Sequence, residues 1–519
     1  MSATLPFAPE IGPGEILPFA ARRYPDKVAL VIGEKRFTYG ELDTMSRRIA
    51  AALQRRGIGD GDIVSLYGQN SWEWIVGYHG ALRAGAVVNP INVMLTGPEL
   101  AYVLNDCESA AVLAGSAQTA TAAAVLADVP SVKLFVEFGD EPIEATATPF
   151  SILLREGTTQ ESMEVRHRPV DLCAIAYTSG TTGHPKGAMQ SHQAILLNCA
   201  LTATMHARTR DDIVVTALPA AHVYGNVAIN STFLVGGTVV LMERFDAAAA
   251  LKLIAAERAT MFEGVPAMYS MILADDSLAG ADLSSLRVTT VGGQTFSVDT
   301  QRKWQQRSGV PMIELWGMTE LAGLGATHSP YAPAVLGSIG VALPGTDIRI
   351  AALDGGDAEA PVGEPGELQA RGPLVMLGYF GNDAATAEVM LPGGWMRTGD
   401  IAYVDDTGHY FVVDRIKDMI VTAGYNVYPA EIERVIASHP DVAMVAVGRR
   451  PDDVRGEIAI AYVVPKPGAR LSDSDILDHC RDDLAAYKRP RAVVFVDQLP
   501  TTSSGKIMRR KLGELTQKN

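Results

Sequence analysis

The sequence predicts an α/β fold: a large N-terminal domain of layered α/β subdomains plus a small β-rich subdomain, followed by a small α/β C-terminal domain. Short apolar runs alternate with helical patterns up to about residue 160 and again in residues 213–320, and this alternation is typical of helices packed on largely parallel sheets. Glycine and proline become frequent after residue 330, which indicates short, turn-bounded strands. The charged stretch Asp414–Asp418 then precedes a last region with its own strands and helices.

The first α/β region has clear strand and helix patterns. Thr38 and Glu41 form a T-x-x-E capping box in front of an apolar-periodic segment, which predicts a helix start. The predicted strands are Val28–Ile32, Ile63–Tyr67 and Ala86–Asn89, and the predicted helices are Gly40–Leu53 and Trp72–Ala84.

The second α/β region contains a stretch without charge, residues 213–242. It is long enough to cross a bilayer, but Pro219, Asn226 and Asn230 would break a spanning helix or leave polar groups unsatisfied in lipid. We therefore predict a strand, a loop, a buried helix and a second strand there. The strands predicted in this region are Ile213–Leu218, Thr238–Leu241, Thr260–Phe262 and Val288–Val291.

The β-rich subdomain is predicted to extend to about Val413, and the final region begins after Asp418. Pro429 suits the first turn of a helix, where its missing N–H costs nothing. Strands are predicted at Val442–Val447 and Ile458–Val464, and a helix at Ser472–Leu484.

Composition limits the class of protein. Of 519 residues, 47% are hydrophobic, which supports large packed cores, and the net charge of −15 argues against general nucleic-acid binding. Four cysteines without a C-x-x-C pair fit a reducing compartment, and the N-terminus shows no secretion signal. These features predict a cytoplasmic protein with no transmembrane segment.

The strongest motif is Tyr177–Gly187, which combines three glycines, four Ser/Thr hydroxyls and Lys186. Such a loop can present backbone N–H groups, hydroxyls and a positive charge to a phosphate chain. It is not the common P-loop, because Gly187 rather than Ser or Thr follows the lysine. The structural alternative is a glycine-rich linker.

This motif resembles the phosphate loop of the adenylate-forming (ANL) superfamily, which includes acyl-CoA synthetases, luciferases and peptide-synthetase adenylation domains. Five further segments resemble family motifs and follow in the family's order and spacing. They are Trp316–Glu320, Trp395–Asp400, Asp414-Arg415 with Lys417, Gly424–Glu433 and Pro500–Lys506. The resemblance covers nearly the whole chain and points to the acyl-CoA synthetase branch.

The resemblance implies that the chain uses ATP, Mg²⁺ and coenzyme A. It places Asp400 and Arg415 at the ribose, Trp316 with Gly317 on one side of the adenine, and the Gly292, Gly293 and Gln294 segment on the other. A carboxylate can accept both ribose hydroxyls, and an indole can stack on a base. The implied phosphate-loop residues are Thr178, Ser179, Gly180, Thr181, Thr182, Gly183 and Lys186.

The implied catalytic residues are Lys506, Thr319, Glu320 and His222. Lys506 would bring a cation to the carboxylate and the α-phosphate, which stabilises the developing charge. Thr319 would contact the α-phosphate, Glu320 would be a Mg²⁺ ligand, and His222 would be a gate beside the carboxylate.

The C-terminal part is implied to reorient between two half-reactions. The resemblance divides the chain into an AMP-binding domain, residues 1–414, and a mobile domain, residues 415–519. Lys417 occupies the hinge position, and Gly424 would let the pantetheine arm of CoA pass close to the backbone.

Each of these residues also has a structural alternative. Trp316 could be a core residue, Asp400 could cap a turn, and Lys506 could be a surface lysine. The Thr319-Glu320 pair could simply begin a helix, and His222 could be a hydrogen-bonded core residue.

The sequence says less about the residues that bind the acyl part of the substrate. Tyr224 and Asn226 resemble pocket positions of aryl-CoA ligases. Glu263 faces either a polar or cationic acyl tail or an arginine partner, and we favour the arginine. The sequence lacks the Asp of amino-acid-activating relatives and the Arg of malonate-activating ones, so medium-chain, aryl and arylpropenoic acids remain open.

The sequence therefore predicts an ATP-dependent carboxylate–CoA ligase that forms an acyl-adenylate and then the CoA thioester. The alternatives are a luciferase-like oxygenase and a catalytically inert adenylate-binding protein. The expected partners are a small carboxylic acid, ATP and CoA, and the chain is expected to be a monomer or a homodimer.

Overall fold

The computed structural model describes residues 12–159, 165–178, 184–294, 296–353, 358–423, 425–452, 454–501 and 507–515. Within these ranges it has the predicted architecture of two large mixed α/β layers, a β-rich subdomain and a small C-terminal α/β unit. The strands up to residue 327 are β1 (Val28–Ile32), β2 (Lys35–Thr38), β3 (Ile63–Tyr67), β4 (Val87–Pro90), β5 (Ala111–Ala114), β6 (Leu134–Glu137), β7 (Thr148–Pro149), β8 (Leu172–Thr178), β9 (Lys186–Ser191), β10 (Ile213–Thr216), β11 (Thr238–Leu241), β12 (Met261–Gly264), β13 (Val288–Gly292), β14 (Met312–Met318) and β15 (Gly323–Thr327).

The helices of the same region cover the sheets. They are α1 (Ile16–Arg23), α2 (Tyr39–Arg55), α3 (Trp72–Arg83), α4 (Gly97–Asp106), α5 (Ser116–Leu126), α6 (Phe150–Glu156), α7 (His192–Met205), α8 (Val223–Val235), α9 (Ala247–Ala256), α10 (Pro266–Ala274) and α11 (Val298–Ser308).

The remaining elements form the β-rich subdomain and the C-terminal unit. The strands are β16 (Val341–Ala342), β17 (Asp347–Ala351), β18 (Gly366–Arg371), β19 (Met396–Val404), β20 (Tyr410–Arg415), β21 (Ile420–Thr422), β22 (Tyr425–Val427), β23 (Val442–Asp452), β24 (Gly456–Pro465) and β25 (Ala492–Phe495). The helices are α12 (Asp383–Val389), α13 (Pro429–Ala437), α14 (Asp473–Asp483) and α15 (Leu512–Leu515).

Two large sheets form the centre of the N-terminal part. One has the order β16-β15-β14-β13-β12-β10-β11-β1-β2, and the other has the order β7-β6-β5-β3-β4-β8-β9. All pairs between β14 and β1, and all pairs between β7 and β8, are parallel, whereas the edge strands β2, β15, β16 and β9 pair antiparallel. One continuous core of buried side chains contains residues of both sheets and of the helices between them.

The local predictions are largely confirmed. The Thr38–Glu41 capping box is present at the start of α2. The uncharged stretch 213–242 forms β10, a loop, α8 and β11, as predicted, and α8 ends at Gly236, whose φ of +81° suits a residue without a Cβ. No helix in the described ranges is long and apolar enough to cross a membrane.

The β-rich subdomain is an antiparallel sheet of β17-β18-β19-β20. Its strand β20 continues through Arg415, one residue past the predicted domain boundary. The C-terminal unit has its own sheet, β22-β21-β24-β23 with β25 beside β24, and its own apolar core under α13 and α14. The 414/415 domain division itself stays a prediction.

Candidate active site

Three parts of the fold meet at the short 3₁₀ turn Thr319–Leu321, which follows β14. Gln190 of β9 donates its side-chain N–H to the Thr319 carbonyl at 2.8 Å. The Met376 N–H donates to the Glu320 carbonyl at 2.8 Å, and residues 377–380 bond to the β9 backbone. Both large sheets and the β-rich subdomain are therefore fixed to the segment that carries the predicted Thr-Glu motif.

Asp400 in β19 is the centre of a charged cluster beside this turn. It is 3% exposed, and its two oxygens have different partners. Trp316 Nε1 donates to Oδ2 at 2.8 Å, and Arg415 Nε lies 2.9 Å from Oδ1. Asp400 in turn raises the pKa of Arg415. Asp400 thus lies within a strand rather than capping a turn, and its remaining lone pairs suit the two hydroxyls of a ribose.

Trp316 is 8% exposed and packs with Leu321 and Tyr379 in the core of the β-rich subdomain. A Cβ at Gly325 would lie 2.4 Å from the indole ring, so the neighbouring strand needs a glycine there. One at Gly317 would lie 2.1 Å from the Gly323 carbonyl. Most of the Trp316 side chain is therefore packed in the core, as the structural alternative predicts. The contact of Trp316 with adenine stays a prediction.

Glu320 is buried, and its Oε1 accepts a hydrogen bond from the Tyr379 hydroxyl at 2.9 Å. Burial raises the pKa of Glu320, and the hydrogen bond from Tyr379 and the charge of Arg415 oppose this shift. The Lys186 ammonium lies 5.3 Å from the centre of the Tyr379 ring and 3.8 Å from Glu388 Oε2. Tyr379 therefore connects the predicted metal ligand to the predicted phosphate lysine.

Tyr379 was not predicted from the sequence. It follows a glycine in a region of many turns, and its position within the fold comes from an isolated β-bridge to Ala188. No periodic pattern marks that bridge, so the Gly378-Tyr379 pair is the one local signal that could have drawn attention to it.

The Glu320 site fits a Mg²⁺ ion that is shared with a phosphate. No group of three or more His, Cys, Asp or Glu side chains in the described ranges could hold a metal alone. Mg²⁺ commonly binds one or two protein carboxylates and completes its shell with water and substrate phosphates. A single buried carboxylate near Lys186 matches that donor set.

The flanks of the predicted phosphate loop are well fixed. Thr178 ends β8 and pairs in register with Lys186, the first residue of β9. The Tyr177 hydroxyl donates to Asp106 Oδ2 at 2.5 Å, and the His184 ring stacks on Tyr102 at 4.7 Å. The loop residues Ser179, Gly180, Thr181, Thr182 and Gly183 lie outside the described residues.

The predicted adenine segment begins at the carboxyl end of β13. A Cβ at Gly292 would lie 2.2 Å from Leu315 Cδ1, and Gly293 has a φ of +93°. Gln294 follows directly. Close packing therefore favours glycine at position 292, and the left-handed backbone favours it at position 293. The carboxyl ends of β13 and β14 are neighbours, as expected at a binding edge of a parallel sheet.

The predicted acyl residues cluster at the start of α8. His222 is the residue before the helix, and its Nδ1 accepts from the Tyr224 N–H at 3.3 Å. Tyr224 is buried and shares a hydrogen bond of 2.8 Å with the Thr290 hydroxyl. Asn226 Oδ1 accepts from Asn230 Nδ2 at 3.0 Å.

A small cavity lies beside this cluster. Its wall includes Tyr78, Ile195, Val223 and Asn226, together with Gln190. Because Gln190 also bonds to the Thr319 carbonyl, one residue of this wall also contacts the turn that carries the Thr-Glu motif.

Glu263 has the arginine partner that the sequence analysis favoured. It forms an ion pair with Arg208, and both side chains are fully buried. Glu263 Oε2 and Arg208 Nε have no hydrogen-bond partner among the described residues. Burial raises the pKa of Glu263, and Arg208 opposes the shift.

At the predicted hinge, Asp414 connects the two parts of the chain. Its carboxylate accepts from the Arg415 N–H at 2.7 Å and from the Ala430 N–H of α13 at 2.8 Å. Burial raises the pKa of Asp414 to about 6. Lys417 lies exposed in the following turn, whereas Gly424 and Lys506 lie outside the described residues.

Two family models match the chain. The model described as AMP-binding enzyme matches residues 17–380, and the model described as AMP-binding enzyme C-terminal domain matches residues 431–506. A feruloyl-CoA synthase of Amycolatopsis is 37% identical over 95% of this chain and 97% of its own. An indoleacetate–CoA ligase of Aromatoleum aromaticum is 36% identical over 95% of both chains.

Solved structures agree with the sequence matches. An anthranilate CoA ligase in complex with anthranoyl-AMP has a TM-score of 0.91 at 27% identity and covers 98% of this chain and 97% of its own. ATP-bound MatB from Rhodopseudomonas palustris has a TM-score of 0.88 at 30% identity, covering 98% of this chain and 99% of its own. Both the sequence and the fold are thus similar to these proteins over nearly their full length.

Proposed function

The chain belongs to the AMP-binding enzyme family, and from this membership we propose how its residues divide the work and which acids it takes. It is an ATP-dependent carboxylate–CoA ligase. A carboxylate oxygen attacks the α-phosphorus of ATP and pyrophosphate leaves; the CoA thiol sulfur then attacks the acyl carbonyl and AMP leaves.

Our assignment of the residue roles rests mainly on the contacts of the segment Trp316–Glu320. Its first residue holds Asp400 through a 2.8 Å hydrogen bond, and its last residue is the buried carboxylate bound by Tyr379. We infer that Asp400 and Arg415 bind the ribose at one end of this segment. Glu320 binds the metal and phosphates at the other end, so a single rigid segment sets the distance between the two.

Lys186 and Thr319 fit beside the phosphates. The Lys186 ammonium is positioned by the Tyr379 ring, and the Thr319 backbone is fixed by Gln190. When bound by Glu320, Mg²⁺ would offset the negative charge of the phosphates. The preorganised positive charge of Lys186 would act in the same direction, and would do so without reorganisation during the reaction.

Lys506, Lys417 and Gly424 keep the roles that the resemblance implies. Lys506 supplies a cation during adenylate formation, and reorientation about Lys417 would then bring Gly424 to the site for the thiol step. The hydrogen bond from the Ala430 N–H of α13 to the Asp414 carboxylate supports a defined orientation of the small domain in this structure.

The acid is proposed to be a monocarboxylic acid with an apolar or aromatic body. The hydrogen bonds described for His222, Tyr224 and Asn226 all join neutral groups, and the nearby carboxylate of Glu263 is already paired with Arg208. A second carboxylate or an ammonium would therefore lose its hydration without gaining a partner. The aromatic acids in the names of several relatives agree with this class.

We also infer a cytoplasmic location. All four cysteines are buried free thiols, as expected for a protein that folds in a reducing compartment.

The test is a panel of carboxylic acids assayed for AMP release with CoA, together with Lys506→Ala. Loss of one preorganised donor should lower adenylate formation by about 10²–10³. Thioester formation from supplied acyl-adenylate should persist, because Lys506 acts only in the first step. Lys511→Ala, an exposed lysine in the same region, is the matched control. Equal loss in both half-reactions would contradict the role of Lys506.

A further inference from the structure

The face of the central sheet beneath α8 carries a row of polar side chains. Glu263 pairs in register with Thr216 of β10 and with Thr290 of β13. Register partners in a parallel sheet point to the same face, so these three side chains lie side by side. Because the Thr290 hydroxyl bonds to Tyr224 at 2.8 Å, this row lies next to the predicted acyl pocket.

Arg208 fixes the Glu263 carboxylate from the helix side. Its Nη1 donates to the Thr232 hydroxyl at 2.7 Å and to the Ala228 carbonyl at 3.3 Å, both on α8. Its Nη2 bonds to Glu263 Oε1. The guanidinium is therefore held to α8, and only one oxygen of the carboxylate is used.

The other oxygen, Oε2, is the anomaly. Glu263 is fully buried, yet Oε2 has no hydrogen-bond partner among the described residues. An unsatisfied buried acceptor on a charged group costs more than a neutral one, and such atoms in native proteins call for an explanation. Glu263 is the register partner of Thr290, and the Thr290 hydroxyl bonds to the Tyr224 hydroxyl, so the Glu263 side chain lies close to the end of Tyr224.

We propose that Glu263 Oε2 accepts a hydrogen bond from a neutral O–H or N–H group on the part of the acid farthest from its carboxylate. The inference rests on the proposed function, because it takes the Tyr224 cluster as the acyl pocket. The selected substrates are aromatic acids with a phenolic hydroxyl or a ring N–H.

A neutral donor fits better than a cation. Arg208 already balances the charge of Glu263, so an ammonium group there would be a net buried charge without a counter-ion. An O–H or N–H group satisfies Oε2 and adds no charge. A site built to bond a donor also rejects the analogue that lacks it, because the buried acceptor is then left unpaired.

The first experiment uses the wild-type enzyme and size-matched acids. We would measure kcat/KM for AMP release with CoA for 3- and 4-hydroxycinnamic acid, each against the fluoro acid at the same position. Indole-3-acetic acid and its 1-methyl derivative form a second pair. We expect at least one donor acid to exceed its partner by about tenfold to a hundredfold, the range for a hydrogen bond to a charged group.

The second experiment changes the acceptor. Glu263→Gln should reduce that preference to less than threefold, because kcat/KM falls more with the donor acid than with its donor-free partner. Asp212→Asn is the matched control: Asp212 is also buried and paired with an arginine, Arg287, at 2.7 Å, but at the opposite end of β10. It should leave the preference unchanged.

Because Glu263→Gln leaves Arg208 unpaired, the double variant Arg208→Gln/Glu263→Gln is measured in parallel, with thermal unfolding as the check on folding. If neither variant folds, the wild-type ratio decides the proposal. A wild-type preference of fivefold or less in every pair of acids overturns the proposal. So does a preference that survives in a folded variant. In either case Glu263 and Arg208 form a purely structural ion pair, with a water bound to Oε2. If no acid yields AMP, the proposed function fails instead.

Discussion

The two ends of the candidate site differ in how their polar atoms are held. At the nucleotide end, three motif residues bond to each other, Trp316 to Asp400 and Asp400 to Arg415, although Glu320 is held by Tyr379, which lies outside the motifs. At the acyl end, the residues bond to partners that belong to no motif, as Tyr224 does to Thr290 and Glu263 to Arg208. Chemistry that is common to a family can be carried by fixed motifs, whereas specificity depends on the surrounding packing.

This difference leads to a general expectation. Changes at the nucleotide end should weaken the use of ATP with every acid. Changes at the acyl end should alter the choice among acids and leave the KM for ATP unchanged. The following variants test that division, from the largest expected effect to the smallest.

Asp400→Ala should have the largest effect. It removes the two oxygens that we propose accept the ribose hydroxyls, and these oxygens are also the partners of Trp316 and Arg415. Hydrogen bonds to a charged group contribute about 1.5–3 kcal/mol each, so kcat/KM for ATP should fall by about 10²–10³ with all acids. Asp347→Ala, which removes an exposed ion pair in the same sheet, is the control. An acid-dependent loss in Asp400→Ala would contradict the division.

Glu314→Gln should change stability with pH. Glu314 lies in β14 between the two ends, and burial raises its pKa from 4.5 to about 8; a backbone hydrogen bond from Phe296 opposes the shift, and Oε2 has no partner among the described residues. Below pH 4.5 both folded and unfolded chains hold the proton. Between pH 4.5 and about 8 only the unfolded chain loses it, so wild-type stability falls as pH rises.

The variant lacks this loss. Relative to wild type, its free energy of unfolding should rise from pH 4.5 to pH 8, by about 2–4 kcal/mol at the upper end. Denaturant titrations of both proteins at several pH values measure the difference. Two curves that stay parallel across this range would show that Glu314 is ionised in the folded protein.

Tyr379→Phe should lower kcat by about tenfold, because it removes the hydrogen bond that holds Glu320. The same bond lowers the pKa of Glu320 against the effect of burial. If Glu320 binds Mg²⁺ as proposed, it must be ionised to do so, and the acidic limb of the pH–rate profile should then move to higher pH in the variant. Tyr410→Phe, whose hydroxyl bonds to a backbone carbonyl in the same subdomain, should show neither effect.

Tyr224→Phe should have the smallest effect. Loss of one neutral hydrogen bond, about 1 kcal/mol, should change kcat/KM for individual acids by no more than about fivefold. The KM for ATP should stay at the wild-type value. A rise in that KM equal to the change for the acid would mean that the two ends are not separate.

Much of the fold could be read from local patterns. The largely apolar run Ile63–Tyr67 is β3 without a shift at either end, and the capping box at Thr38 fixes the start of α2. Helix starts and buried strands are determined by residues close together in the chain, so a single sequence suffices. The motif residues Glu320, Asp400 and Arg415 were predicted differently, from the resemblance of their segments to family motifs.

The sequence by itself determined the elements, the family motifs and the presence of an odd buried charge at Glu263. Only the tertiary structure decided that Arg208 is its partner and that one oxygen is left over, as it decided that Tyr379 holds Glu320. These partners lie more than 50 residues apart. Periodicity tells which face of an element is buried, but the order of β10, β12 and β13 in the sheet tells which buried faces meet.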